Sequence, residues 1–241
     1  MSTISDSMVG SPTLYGQSAV QEIALGTIYR SGDGRRFRYV KVGGTALVQG
    51  KLYQSAAESA SNWEALSVAA AAIGATKVTL TSSVTLTADV LAGGYMAIST
   101  NIGIGYTYKI TGNTAVNGAA GCVITLDDPI QVALDTTTTI DVIPNPASKV
   151  ELWDYTNHDG AVMGVAIYPV TASYYGWLQT GGPCACLVDA GNLAVGLDVS
   201  ASDDTDGAVG PLEEEATSVY VGRAITASSS TEYGLVNLNI N

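Results

Sequence analysis

The chain has 241 residues, of which 46% are hydrophobic and only 13% are charged. This charged share is about half that of an ordinary soluble domain, so we expect partners to cover part of the surface. Residues 1–51 hold six basic and three acidic side chains, whereas residues 52–241 hold four basic and nineteen acidic ones. That acidic body argues against a nucleic-acid-binding protein, which needs many basic side chains.

The start of the chain shows no sign of a membrane anchor or an export signal. No run of eighteen apolar residues is present, so the sequence predicts no spanning helix and no membrane partner. Residues Met1 to Met8 lack the basic start and apolar core of a secretory signal. We therefore expect the protein to mature in the cytoplasm where it is made.

Residues 1–36 show no sustained hydrophobic period and are predicted to form an extended N-terminal arm with little fold of its own. The first clear strand is residues 36–42, which follow a turn at residues 31–35. Basic side chains cluster in this region and are candidates for contacts with an acidic protein surface: Arg30, Arg35, Arg36, Arg38 and Lys41. An arginine-rich turn exposed to solvent is the alternative.

One short helix is predicted over residues 61–73. Ser61-Asn-Trp-Glu64 has the spacing of a capping box, in which the two side chains satisfy each other's free backbone N–H groups. An alanine-rich run follows, and alanine has the highest helix propensity. Gly74 is a suitable residue to end the helix.

Most of the chain after Gly74 alternates apolar residues with threonine or serine, or is rich in β-branched residues. This period of two predicts half-buried strands, separated by turns rich in Gly, Asn and Asp. The predicted strands are 77–81, 83–87, 95–99, 106–111, 122–126, 139–143, 149–155, 163–168, 176–180, 184–189, 193–200, 218–226 and 235–239. We therefore predict a mainly β protein of antiparallel sandwich or barrel type.

The best internal boundary is Pro144-Asn-Pro146, because two prolines at this spacing resist both a helix and a central strand. The predicted division is an arm (1–36), a β-rich part with the helix (37–145) and a second β-rich part (146–241). The two parts are either separate domains or two lobes of one core.

No known catalytic motif appears in the sequence. The single histidine, His158, lies in a polar turn, and no pattern places a nucleophile or carboxylate beside it. Cys122, Cys184 and Cys186 form neither a disulfide framework nor a zinc motif, so buried, inert thiols are expected. Residues 102–106 (Ile-Gly-Ile-Gly-Tyr) lack the full pattern of a phosphate loop and are better interpreted as a turn or a bulge. We expect no enzyme activity and no cofactor.

The sharpest local pattern is an acidic segment at residues 202–213. Asp204, Asp206 and Glu213 fit positions of a calcium-binding loop, but Ser202 stands where the first aspartate is required. An acidic surface loop is therefore the preferred interpretation, with a weakly held cation as the alternative. The neighbouring acids at 127–128 and 213–215 are expected to be solvated, because sequence neighbours cannot face each other across a cleft.

Three segments resemble the proteins that decorate the head shell of tailed bacteriophages. They are Arg38-Tyr-Val-Lys-Val-Gly-Gly-Thr-Ala-Leu-Val-Gln-Gly-Lys-Leu-Tyr-Gln54, Ala92-Gly-Gly-Tyr-Met-Ala-Ile-Ser99 with Gly103-Ile-Gly-Tyr-Thr-Tyr-Lys-Ile110, and Tyr174-Tyr-Gly-Trp-Leu-Gln-Thr-Gly-Gly-Pro183 with residues 184–189. The resemblance implies a β-rich capsid decoration, or cement, protein that binds between major capsid subunits on the outer surface of the virion. It also implies a homotrimer, and it brings no catalytic residues.

Other functions stay open at this point. A tail tube, a head–tail connector and part of a fibre are alternative virion roles, although no internal repeat supports a fibre. An adhesive β module and an enzyme are less favoured. In the preferred hypothesis, residues 1–36 and the basic residues from Arg30 to Lys41 anchor the protein to its capsid partner.

Overall fold

The computed structural model describes residues 13–57, 60–157, 159–189, 191–212 and 218–240. The chain forms two compact units. Unit 1 consists of Met1–Ala56 and Pro146–Asn241, and unit 2 is Ala57–Asn145. The prediction of a mainly β protein with antiparallel sheets is confirmed.

The strands are numbered along the chain. Unit 1 begins with β1 (Ile28–Arg30), β2 (Arg36–Lys41) and β3 (Leu52–Ser55). Unit 2 contains α1 (Ala60–Trp63), β4 (Leu66–Ser67), β5 (Lys77–Thr79), β6 (Val84–Leu86), β7 (Tyr95–Thr100), β8 (Thr107–Asn113), β9 (Val116–Ala119), β10 (Val123–Leu126) and β11 (Thr139–Ile143). Unit 1 continues with a 3-10 turn (Pro146–Ser148), β12 (Val150–Leu152), β13 (Val162–Ala166), β14 (Tyr175–Leu187), β15 (Asp198–Ala201), β16 (Val209–Pro211), β17 (Tyr220–Ala224) and β18 (Tyr233–Asn239).

Unit 1 is organised around β14, the long central strand of a ten-stranded sheet. The main path of the sheet is β12-β3-β13-β14-β18-β17-β15-β16, and β2 also pairs with β14 while β1 pairs with β2. The sequence predicted two strands, 176–180 and 184–189, where the structure has this single strand of 13 residues. Gly181-Gly182-Pro183, between the two predicted strands, pairs in regular register with β18, and the pairing of β14 with β2 is irregular between Gln179 and Gly181.

In unit 1, buried and exposed residues alternate along β18, whereas β3 and the first half of β14 are buried at successive residues. Cys184 and Cys186 point into the same apolar cluster as Trp153 and Val236. All three cysteines of the chain are free and buried, so the prediction of buried thiols is confirmed. A second face of the sheet carries a small aromatic cluster centred on Trp177.

Unit 2 has a six-stranded antiparallel sheet in the order β4-β11-β7-β8-β10-β5, together with the two-stranded ribbon β6-β9. Alternate apolar residues such as Val78, Val84 and Ile124 are buried in its core. The threonines between them are more exposed, as the alternation predicted. Residues 102–106 form the turn between β7 and β8.

The predicted helix over 61–73 is wrong, because only Ala60–Trp63 are helical. Ala65 has a left-handed φ of 49°, which ends the helix. Beyond it Leu66 and Val68 are buried, and Ser67 pairs with Thr139 of β11. Strand pairing has therefore overridden the high helix propensity of alanine. Among the described residues, no helix is long and apolar enough to cross a membrane.

The N-terminal arm also differs from the prediction in its described part, residues 13–36. Leu14 and Ile23 pack against the aromatic cluster of unit 1. The amide of Ser18 donates to the carbonyl oxygen of Tyr175 at 3.0 Å, and the reverse bond is 2.9 Å long. This part of the arm is thus an integral piece of unit 1, since it covers apolar surface. Residues 1–12 lie outside the described residues.

The division of the chain agrees with the prediction at one junction only, between Asn145 and Pro146. Residues 37–56 were expected to belong with 57–145, but they belong to unit 1. The physical reason is β3, which pairs with β12 on one side and β13 on the other. Unit 2 is therefore an insertion in unit 1.

Candidate interaction surface

The β1–β2 hairpin distributes the predicted basic residues over two faces of the sheet. Arg30 of β1 is the backbone pairing partner of Arg36 of β2, so the two side chains lie on the same face of the hairpin. Arg38 lies two residues after Arg36, so alternation places Arg30, Arg36 and Arg38 on one face. We call these three residues the arginine stripe.

Arg35 and Lys41 lie over the aromatic side of the hairpin. The Arg35 guanidinium is 5.3 Å from the centre of the Phe37 ring, and the Lys41 ammonium is 5.6 Å from that of Tyr175. Such cation–π contacts stabilise a cation without neutralising it. The structure therefore brings three of the five predicted residues together and separates the other two from them.

The arginine stripe has no acidic partner among the described residues, since no carboxylate oxygen lies within 4.0 Å of its three guanidinium groups. Arg36 donates to Oδ1 of Asn239 at 3.2 Å, and Arg38 approaches the sulfur of Met163 at 3.5 Å. Burial lowers the pKa of Arg38, and the charge of Arg36 lowers it further. Residues 28–41 hold five basic residues and one acid in a chain of net charge −12. The hairpin is thus a positively charged region of an otherwise acidic protein, and we call it the cationic hairpin.

Arg35 is held by two side chains. Its Nε donates to Oδ2 of Asp33 at 2.7 Å, and its Nη1 donates to the hydroxyl of Tyr15 at 3.4 Å. These contacts, led by the one to Tyr15, raise the pKa of Arg35. The pKa of Asp33 is lowered, first by the backbone N–H of Arg35 and then by Ser31 and the guanidinium.

Glycines in β14 make room for the arginines. A Cβ on Gly181 would clash with Nε of Arg36, and one on Gly182 would lie 3.1 Å from Cα of Arg35. Gly182 also has a left-handed φ of 80°. The buried side chain of Gln179 fixes this segment, because its Nε2 donates to the carbonyl oxygens of Gly181, Gly182 and Pro183 at 3.1, 3.2 and 2.8 Å.

An open groove of about 500 Å³ runs beside this segment in unit 1. Its lining residues come from seven separate stretches of the chain: Tyr15, Arg35, Gln49, Gly50, Ala166, Ile167, Gln179, Pro183, Cys184, Ala185 and Tyr233. Tyr15 and Tyr233 are more than half exposed. Sequence reasoning missed the groove, because only Arg35 belonged to a recognisable pattern.

The acidic segment at residues 202–212, the weak candidate for a cation site, has the hydrogen bonding of an ordinary polar turn in its described part. Oδ1 of Asp204 accepts from the hydroxyls of Ser202 and Thr205, and Oδ1 of Asp206 accepts from the amide of Tyr155 at 3.3 Å. Glu213 lies outside the described residues, as does His158. Within the part of the chain that the structure describes, no three acidic, cysteine or histidine side chains are grouped to hold a metal ion.

Two other aspartates are perturbed in opposite directions. Asp154 accepts four hydrogen bonds from Thr156 and Asn157, which lower its pKa from 3.8 to about 2. Asp189 is buried beside Gly191, whose amide donates to it at 2.8 Å, and burial raises its pKa. Neither lies among the residues lining the groove.

No family model, curated protein or solved structure matches the chain.

Proposed function

We propose that this protein is a structural component of a tailed-phage head, which decorates the outside of the capsid and stabilises the shell. The observation that carries the proposal is the cationic hairpin: the arginine stripe has no carboxylate partner within the described residues of a strongly acidic chain. Unpaired arginines on a sheet are suited to an acidic partner surface. In this proposal the partners are the major capsid protein and two further copies of the chain, and no substrate is transformed.

The composition and the scattered apolar side chains support the same proposal. Many large apolar side chains are exposed in both units, among them Ile104, Val195 and Leu235. A decoration protein can bind through many weak contacts spread over the capsid lattice. Because it binds the assembled shell more tightly than the free capsid subunits, it stabilises the shell. Contacts made by surface arginines should weaken as salt is added.

The test is binding to heads that lack this protein, prepared from the phage that encodes it. Wild type and the double variant Arg30→Gln/Arg36→Gln are sedimented with the heads at low and high salt. We expect the double variant to bind about tenfold more weakly, from roughly 0.7 kcal/mol for each arginine, of which Arg30 is exposed and Arg36 is half-buried. The difference should shrink at high salt.

Arg223→Gln is the matched control, because Arg223 is also an exposed arginine but is paired with Asp198 at 2.9 Å. It should bind like wild type. No binding of the wild-type protein, or equal binding of the double variant, would overturn the proposal. Point substitutions are preferable to deleting residues 1–30, since that deletion would also uncover the aromatic cluster that Leu14 and Ile23 cover.

A further inference from the structure

On the side away from β18, the C-terminal half of β14 is open at one residue, Ala185. The carbonyl oxygen of Pro183 accepts from Nε2 of Gln179 at 2.8 Å, and the carbonyl oxygen of Ala185 lies 3.6 Å from Sγ of Cys184. Residues 182–187 of this strand pair with β18 alone. Among the described residues, the bond from the amide of Leu187 to the carbonyl oxygen of Gly50 (2.8 Å) is the one backbone hydrogen bond that this half makes away from β18. In an antiparallel strand, the N–H and C=O groups of one residue point to the same side of the strand, and those of the next residue point to the other side. Ala185 is two residues before Leu187, so its groups point to the same side as those of Leu187. Both polar backbone groups of Ala185 therefore point away from β18.

The open edge lies in the groove. Pro183, Cys184 and Ala185 form one part of its lining, and Gly50, Ala166 and Ile167 form another. Ala185 is itself exposed, and Pro183 has no N–H to leave unpaired. Exposed backbone N–H and C=O groups at the edge of a sheet can pair with one residue of an extended peptide.

The groove carries a cation. Arg35 lines it, and only its Nε is engaged by a carboxylate, that of Asp33. The guanidinium has further N–H groups for a second acceptor. Arg35 belongs to the cationic hairpin, so the local charge favours an anionic group. Tyr15 and Tyr233 offer apolar ring surface to neighbouring side chains.

We infer that this groove binds an extended peptide segment that carries a carboxylate. The peptide adds as a strand to β14 and exchanges hydrogen bonds with the N–H and C=O of Ala185, and its carboxylate pairs with Arg35. Backbone pairing supplies affinity, while the arginine and the two tyrosines select the side chains. The inference goes beyond the proposed function and does not depend on it.

The test is selection from a displayed library of ten-residue peptides against the full-length protein. We expect the enriched peptides to share an acidic residue at a fixed position and to lack proline at the positions that pair. A selected peptide, labelled with fluorescein, is then titrated with each variant by fluorescence anisotropy. Arg35→Gln and Ala185→Pro should each weaken binding about tenfold or more. Asp33→Asn should strengthen it, because that variant removes a competing carboxylate.

Two measurements separate loss of the site from loss of the fold. Arg223→Gln, a charge change outside the groove, should bind the peptide like wild type. In the wild-type protein, binding should slow hydrogen exchange at the amide of Ala185, a readout that needs no variant. Failure to enrich any peptide would overturn the inference. So would selected peptides that bind Arg35→Gln as well as wild type, or that leave the Ala185 amide unprotected.

Discussion

Replacing Gln179 with leucine should destabilise unit 1 by about 2–4 kcal/mol. The Gln179 side chain is 1% exposed, and its Nε2 is the shared donor for three carbonyl oxygens. Leucine keeps most of the volume but removes the donor. The carbonyl of Gly181 then stays buried without its partner, at a cost of about 1–3 kcal/mol, and the two less buried carbonyls add roughly 1 kcal/mol together. A domain is commonly stable by only about 5–15 kcal/mol, so such a loss is easily measured.

The assay is urea unfolding followed by tryptophan fluorescence, since Trp153 and Trp177 both lie in unit 1. Gln17→Leu is the control, because Gln17 also lies in unit 1 and bonds the backbone, its Oε1 accepting from the amide of Thr171 at 2.6 Å, but is exposed. It should change the free energy of unfolding by less than about 0.5 kcal/mol. If Gln179→Leu changed it equally little, Gln179 would not be what holds the Gly181–Pro183 segment.

Three further results are expected. Asp154 has a lowered pKa, so its contribution to the free energy of unfolding is present above pH 3.8 and is lost as the pH falls to about 2. Buried Asp189 has a raised pKa, so its contribution is present below pH 3.8 and decreases as the pH rises above that value. The melting temperature should be measured between pH 2 and 6. Asp154→Asn should abolish the loss of stability towards pH 2, and Asp189→Asn should abolish the loss of stability above pH 3.8. Melting temperatures with the same pH dependence as wild type would contradict this reasoning. Gly182→Ala should cost about 1–3 kcal/mol in urea unfolding, because of its φ of 80° and the nearby backbone of Arg35, while Gly32→Ala, with no atom within 4 Å, should be near neutral. The three buried cysteines should react with Ellman's reagent only on unfolding, and fast labelling of the folded protein would contradict their burial.

The strands were predictable wherever one face of a sheet is buried. In Val84-Thr-Leu86 the apolar residues are in the core and the threonine is exposed, so the period of two in the sequence predicts both the strand and its buried face. The prediction of a helix over the alanine-rich run at 65–73 was wrong, because small apolar residues fit a helix and a strand alike. Pairing with distant residues such as Thr139 decided its structure.

The interaction surface was predictable only in part. The arginines of β2 are close in sequence, so their clustering was visible, but which of them share a face depends on the register with β1. The groove unites Tyr15, Gly50, Ile167 and Tyr233, which no local pattern connects. The one available signal was Gln179 two residues before Gly181-Gly182, a polar side chain in an apolar run beside two glycines.

The insertion of unit 2 has a consequence for the order in which the protein folds during synthesis. Residues 57–145 are continuous, so every partner they need has left the ribosome once Asn145 has emerged. β3, by contrast, must wait for β12 and β13, which are made roughly a hundred residues later. Because Ser55 and Val150 are direct partners across β3 and β12, the two chain connections to the insertion start from neighbouring positions. The growing chain can therefore complete unit 2 first and then pair β3 with β12 and β13 in unit 1.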